Sequence, residues 1–221
     1  DLGFVLLSFV VMFVGLSALG WVTAKGLRPW AERKGITFFA VTFANTVFLG
    51  FPVIEAMYGA DGIFIATISN IPFNLMAYTV GYGAVRGGMK DLTLRKALAP
   101  PLVASFVAVL IFLSGVEIPE FVADCFGSMS GATIPMSMLI VGTSLGSVSL
   151  KGAAENWRVF VVVAIKLIVA PILAWLVTSL FVKDEMLLGV IVVLSSAPTA
   201  MIATIFAIEA GRDEGYASGG L

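Results

Sequence analysis

Six stretches of at least 19 residues pass through this chain without one charged side chain: 2–24, 36–54, 62–85, 97–116, 125–150 and 186–208. A helix needs about 20 apolar residues, at 1.5 Å rise each, to cross a hydrocarbon core of about 30 Å. A seventh stretch, 159–182, is interrupted only by Lys166. The runs lack the period-2 alternation of an outer-membrane barrel, so they read as seven membrane-spanning helices. The first starts at Asp1 without a basic flank, which fits a span rather than a secretory signal. An all-α integral membrane protein follows.

Composition excludes most other classes. Only 12% of residues are charged, against about 25% in soluble domains, too few to cover a water-facing surface. A net charge of −1 gives no basic field for nucleic acid. One cysteine, Cys125, and no histidine exclude a disulfide framework, an ordinary zinc site and a histidine-based triad. No catalytic residue, metal or cofactor is therefore expected, and the chain does not read as an enzyme.

Basic residues in short loops favour the cytoplasm. Ten of the 13 fall in three loops, around Lys25, Arg28, Arg33 and Lys34, around Arg86, Lys90, Arg95 and Lys96, and at Lys151 and Arg158. The alternate loops carry Asp61, then Glu117, Glu120 and Asp124, then Lys183, Asp184 and Glu185. One orientation satisfies every loop, as expected of a multi-pass protein of the cell (inner or plasma) membrane.

The chain also repeats itself. Phe43-Ala44-Asn45-Thr46 leads to Glu55 and on to Gly62, and Ser196-Ala197-Pro198-Thr199 leads to Glu209 and on to Gly215, 153 or 154 residues later. By the loop charges the two helices run in opposite directions, so the repeat is inverted. The same offset lays 2–24 onto 156–178 and expects the start of an eighth helix near Gly215. A complete unit would be an inverted-repeat (5+5 helix) transporter, of which about seven helices and the start of an eighth are expected here. On this reading residues 1–85 are the last three helices of the first repeat and 86–96 the cytoplasmic loop between repeats. Residues 97–221 are the second repeat, its last helix incomplete.

Both repeat-related helices look interrupted. Pro52, with Gly50 and Asn45 ahead of it, removes a backbone donor from the first; Pro198, flanked by Ser195, Ser196 and Thr199, does so in the second. One such proline is an ordinary kink, but paired interruptions at related places point to a transport site with half-helix N-termini facing an anion. Thr46 adds a hydroxyl beside the first.

NTVFLGFPVIEAMYGADG followed by SNIPFNLMAYTVGYG resembles the fourth and fifth helices of the auxin efflux carrier family, the bacterial and archaeal relatives of plant PIN auxin exporters. SGATIPMSMLIVGTSLG resembles the seventh, and APTAMIATIFAIEAGRDEGYAS the ninth with the start of the tenth. The resemblance covers essentially the whole chain. It implies crossing broken helices that carry organic anions such as dicarboxylates or auxin-like carboxylates, with the crossover prolines at Pro52 and Pro198 and the preceding polar residue at Asn45. The family's first two helices have no counterpart here.

Other polar residues lie within the spans. Lys166 either pairs with a carboxylate substrate or reaches an interface or helix carbonyl. Asn70 and Asn74 stand one turn apart around Pro72, which is expected to disturb their helix, and suit interhelical hydrogen bonds. Thr133 and Pro135 lie in a small-residue helix that reads first as packing and second as cavity lining. The expected function is secondary transport of a small organic anion by alternating access. A sodium-coupled symporter of related broken-helix fold, or a non-transporting membrane sensor or scaffold, are the alternatives. The expected partners are the anion, the lipid bilayer and a second copy of the chain.

Overall fold

The structure, a computed structural model, describes residues 2–27, 31–88, 100–147 and 157–212. The expected inter-repeat loop beyond residue 88, the Lys151 loop and the helix start near Gly215 lie outside them. The described residues form eight helices: α1 Leu2–Gly26, α2 Ala31–Thr42, α3 Thr46–Arg86, α4 Pro100–Ser114, α5 Glu120–Ser147, α6 Trp157–Ser179, α7 Glu185–Ser196 and α8 Ile202–Glu209. Three of them, α1, α3 and α6, are long and apolar enough to cross a membrane.

At 41 residues α3 would be about 60 Å long if straight, twice what one crossing needs. It bends at Gly59, where φ 63° and ψ −150° lie in a region closed to residues with a side chain. Residues 46–58 and 60–86 are thus separate helical segments, with Asp61 just past the bend. Pro72 keeps helical backbone angles inside the helix, and a π turn, Ala77–Gly81, follows five residues after it.

α1 packs on α2, α3 and α6, and α6 packs on α7. The outer surface is apolar, with Trp21, Phe64, Leu110, Ile168 and Trp175 exposed, while Ser8, Thr37, Thr42, Asn45, Ser69, Lys166 and Thr178 are buried. This inverts the arrangement of a soluble protein and suits lipid as the solvent, where polar groups must find partners inside.

The repeat is visible in the elements. α2 and α7 are each 12 residues long, and both their first residues (Ala31, Glu185) and their last (Thr42, Ser196) are 154 apart. Each is a half-helix. α2 resumes as α3 after residues 43–45, and α7 resumes as α8 after residues 197–201.

Candidate functional site: the crossing of two broken helices

The first break begins at Phe43, which has no exposed surface. Its ring lies 4.6 Å from that of Phe39, 5.8 Å from Phe73 and 6.3 Å from Phe13. This clamp fixes the point at which the chain leaves the helix. Asn45 then takes a non-helical φ −77°, ψ 72°, and its Oδ1 accepts the Phe48 N–H at 3.3 Å. It is therefore the N-cap of the next half-helix, satisfying one of the free donors of that end. The helix restarts with a π turn over Thr46–Gly50, closed by the Phe51 N–H on the Thr46 carbonyl.

The second break is made by Pro198 itself. Ala197 before it is extended, at φ −64°, ψ 145°, as the residue ahead of a proline prefers. The two extended segments meet as an antiparallel pair with Ala44 opposite Thr199. The Asn45 N–H donates to the Pro198 carbonyl at 2.6 Å, and the Ala200 N–H donates to the Phe43 carbonyl at 3.0 Å. Groups that would be orphaned in lipid are thus satisfied by the other half of the repeat. Two side chains complete the exchange on the last carbonyls of α2: Thr199 Oγ1 donates to Ala40 at 3.0 Å and Lys166 Nζ to Val41 at 3.3 Å.

The structure brings Asn45, Thr46, Pro198, Thr199 and Lys166 to this crossing. It moves two expected residues away from the break. Pro52 stands seven residues past Asn45, directly after the π turn, as the second residue of the regular α-helix beginning at Phe51, so its missing N–H coincides with the π register and not with the point where the chain leaves α2. Gly50 is helical, at φ −66°, ψ −48°, and serves close approach: a Cβ there would lie 2.8 Å from Leu194 Cδ2 of α7. The hydroxyls of Ser195 and Ser196 both donate back to the Val192 carbonyl, at 2.8 and 2.7 Å. Thr46 differs: its side chain is buried, and Oγ1 has no hydrogen-bond partner among the described residues.

The remaining candidates divide. Asn74 is buried and Asn70 half-buried, with Asn70 Oδ1 unpartnered among the described residues. Pro135 is exposed on α5, and the side chain of Thr133 lies outside the described residues. α5 packs against the Thr46–Gly50 turn. Sequence reasoning missed the Phe43 clamp, although Phe38, Phe39 and Phe43 form a dense aromatic run.

Two half-helices joined through an antiparallel backbone pair, buried among apolar passes, define a membrane carrier with a crossed-helix centre. The sequence model of the family described as "Membrane transport protein" matches residues 1–94 and 84–221. The chain belongs to this family, the auxin efflux carriers. It is 27% identical over 209 residues to an uncharacterized transporter of Methanocaldococcus jannaschii, covering 91% of this chain and 67% of that protein. It is 28% identical over 203 residues to an uncharacterized transporter of Methanothermobacter thermautotrophicus, covering 90% of this chain and 65% of that one. The chain thus spans about two thirds of the length of these relatives.

Proposed function

We propose that this protein is a secondary transporter that binds a small organic anion, a carboxylate, at the crossing and moves it by alternating access across the cell membrane. The observation that carries this reading is the crossing itself. Two half-helix N-termini, at Thr46 and Ile202, begin within a few residues of the paired segments 43–45 and 197–200. Each N-terminus carries a partial positive charge that favours an anion. The unpartnered Thr46 hydroxyl supplies a donor at the first of these ends. In lipid such a hydroxyl is costly unless a ligand uses it. Asn45, Thr46, Ser195, Ser196, Pro198 and Thr199 form the site in this reading, Gly50 and Pro52 shape the helix that leaves it, and a second copy of the chain forms the assembly.

The test is flux. The full-length protein in proteoliposomes is expected to take up labelled malate or indole-3-acetate with saturation, and each should compete with the other's uptake if carried. Absence of saturable uptake of both would overturn the carboxylate reading in favour of a sensor or scaffold.

A further inference from the structure

Lys166 is the one charged side chain in the buried interior of the described residues, 2% exposed. It sits in a π turn, Ile165–Val169, in which Leu167, Ile168 and Val169 are exposed and Ile165 is half-buried. Pro171 follows, and the Ala170 N–H bonds to the Ile165 carbonyl rather than one residue nearer. A turn that presents three apolar side chains outward and one lysine inward is the reverse of snorkelling, in which the ammonium would reach the interface.

The place it reaches is specific. Among the described residues its polar partner is the Val41 carbonyl, one residue before the end of α2. A small cavity of about 20 Å³ adjoins it, lined by Val162, Val163, Lys166, Leu167, Pro198 and Thr199. This is room for about one water molecule. The lysine therefore bonds to a half-helix end and shares a small cavity with the second break.

The repeat shows that this cation is an addition to the shared design. The offset of 153 or 154 residues carries Lys166 back to Phe13 or Met12 of α1, both buried and apolar. At the corresponding end of α7 the hydroxyls of Ser195 and Ser196 turn back onto the Val192 carbonyl, the counterpart of Phe38, and among the described residues no charged side chain is buried there. Each half-helix end carries about half an elementary charge, positive at N-termini and negative at C-termini. Two ends of each sign meet here, so the helices themselves contribute no net charge. Lys166 does.

We propose that the Lys166 ammonium is a resident cation of the crossing, which neutralises the carbonyl end of α2 and leaves the net positive charge that a bound carboxylate balances. A dissolved alkali cation is then not required to hold the anion, because its place at the carbonyl end is already taken. The inference rests on the proposed transport of carboxylates, and it makes Lys166 a positioning residue that selects for charge.

Two measurements on the full-length protein test it. The first needs no substrate: thermal midpoints in detergent, in sodium chloride and in N-methyl-D-glucamine chloride at equal ionic strength. The wild type should be indifferent to sodium, and Lys166→Met should melt at least about 3 °C lower, because the Val41 carbonyl loses its partner. A buried charge that is merely tolerated gives the opposite result, since apolar replacement is then neutral or stabilising. A Lys166→Met midpoint equal to or above wild type, or a wild-type midpoint raised by sodium, overturns the proposal. The second compares uptake of indole-3-acetate with its neutral analogue indole-3-acetamide. Wild type should prefer the anion by at least about tenfold, and Lys166→Gln, which keeps a donor for Val41, should lose most of that preference. An unchanged preference overturns the charge role. A wild type that carries neither probe, yet shows the expected midpoints, overturns the transport reading for these carboxylates and leaves Lys166 as the resident cation.

Discussion

Asn45 and Pro198, 153 residues apart in sequence, are joined by one backbone hydrogen bond of 2.6 Å, with the Ala200 to Phe43 bond of 3.0 Å as its companion. Together they make Ala44 and Thr199 a directly opposed, non-hydrogen-bonded antiparallel pair. Such pairs have Cα atoms about 4.5 Å apart, within the range a disulfide can bridge. The double substitution Ala44→Cys and Thr199→Cys, with the exposed Cys125 replaced by Ser, should therefore cross-link on mild oxidation. Non-reducing mass spectrometry of proteolytic fragments would show residues 44 and 199 linked, and failure to link under conditions that oxidise both thiols would contradict the crossing.

Asn45→Ala removes the side-chain acceptor for the Phe48 N–H, and loss of an N-cap costs about 1 kcal/mol. A lower thermal midpoint is expected for Asn45→Ala and a near wild-type one for Asn45→Ser, which retains a capping oxygen. Equal midpoints for all three proteins would mean that the cap carries no weight.

Thr46→Val separates function from stability. The hydroxyl is buried without a partner among the described residues, so replacing it with a methyl group of the same shape should leave the midpoint unchanged or raised. If a substrate carboxylate uses that hydroxyl, affinity should fall about 3- to 10-fold, the value of one net hydrogen bond. Uptake kinetics of the two proteins, measured side by side, decide it.

At Gly50 the expected effect is steric. A Cβ would meet Leu194 Cδ2 at 2.8 Å, and Leu194 is itself buried at 1% exposure. Gly50→Ala should destabilise the protein by about 1–3 kcal/mol, and adding Leu194→Val should recover part of that loss although Leu194→Val alone is destabilising. Strict additivity of the two changes would show that these helices are not in contact there.

The loop charges make a topological prediction that is independent of the crossing. A cysteine at position 120 should react with an impermeant maleimide added outside cells, and one at position 90 only after permeabilisation, because the basic residues cluster on the cytoplasmic side. The reverse labelling would invert both half-helices relative to the membrane.

The parts of this architecture that were legible in sequence are those set by local composition. Charge-free length announces helices in lipid, and the 154-residue offset places α7 on α2 residue for residue. Pro198 breaks its helix where it stands because its fixed geometry and missing donor act on adjacent residues. The first break is legible through the repeat, which sets Asn45 against Pro198, and not through its own proline. Pro52 is the visible breaker, yet the chain leaves the helix nine residues earlier, at Phe43, where four phenylalanine rings converge and a partner segment waits 150 residues away. Lys166 shows the same limit from another side. Its sequence position gives a costly charge within a span, but only the fold shows that its partner is a carbonyl freed by the break in α2.

The exchange of hydrogen bonds between the two breaks also has a consequence for how the protein is made. When Phe43, Ala44 and Asn45 enter the bilayer, the groups that complete their pairing belong to Pro198 and Ala200 and have not yet been synthesised. At about 5–20 residues per second the ribosome reaches them only some ten to thirty seconds later. During that interval the first break must keep water, the insertion machinery or a lipid headgroup as its partner. Damage to either break should therefore be seen first by membrane quality control, as shortened lifetime of newly made chains, before any change in the carrier that survives.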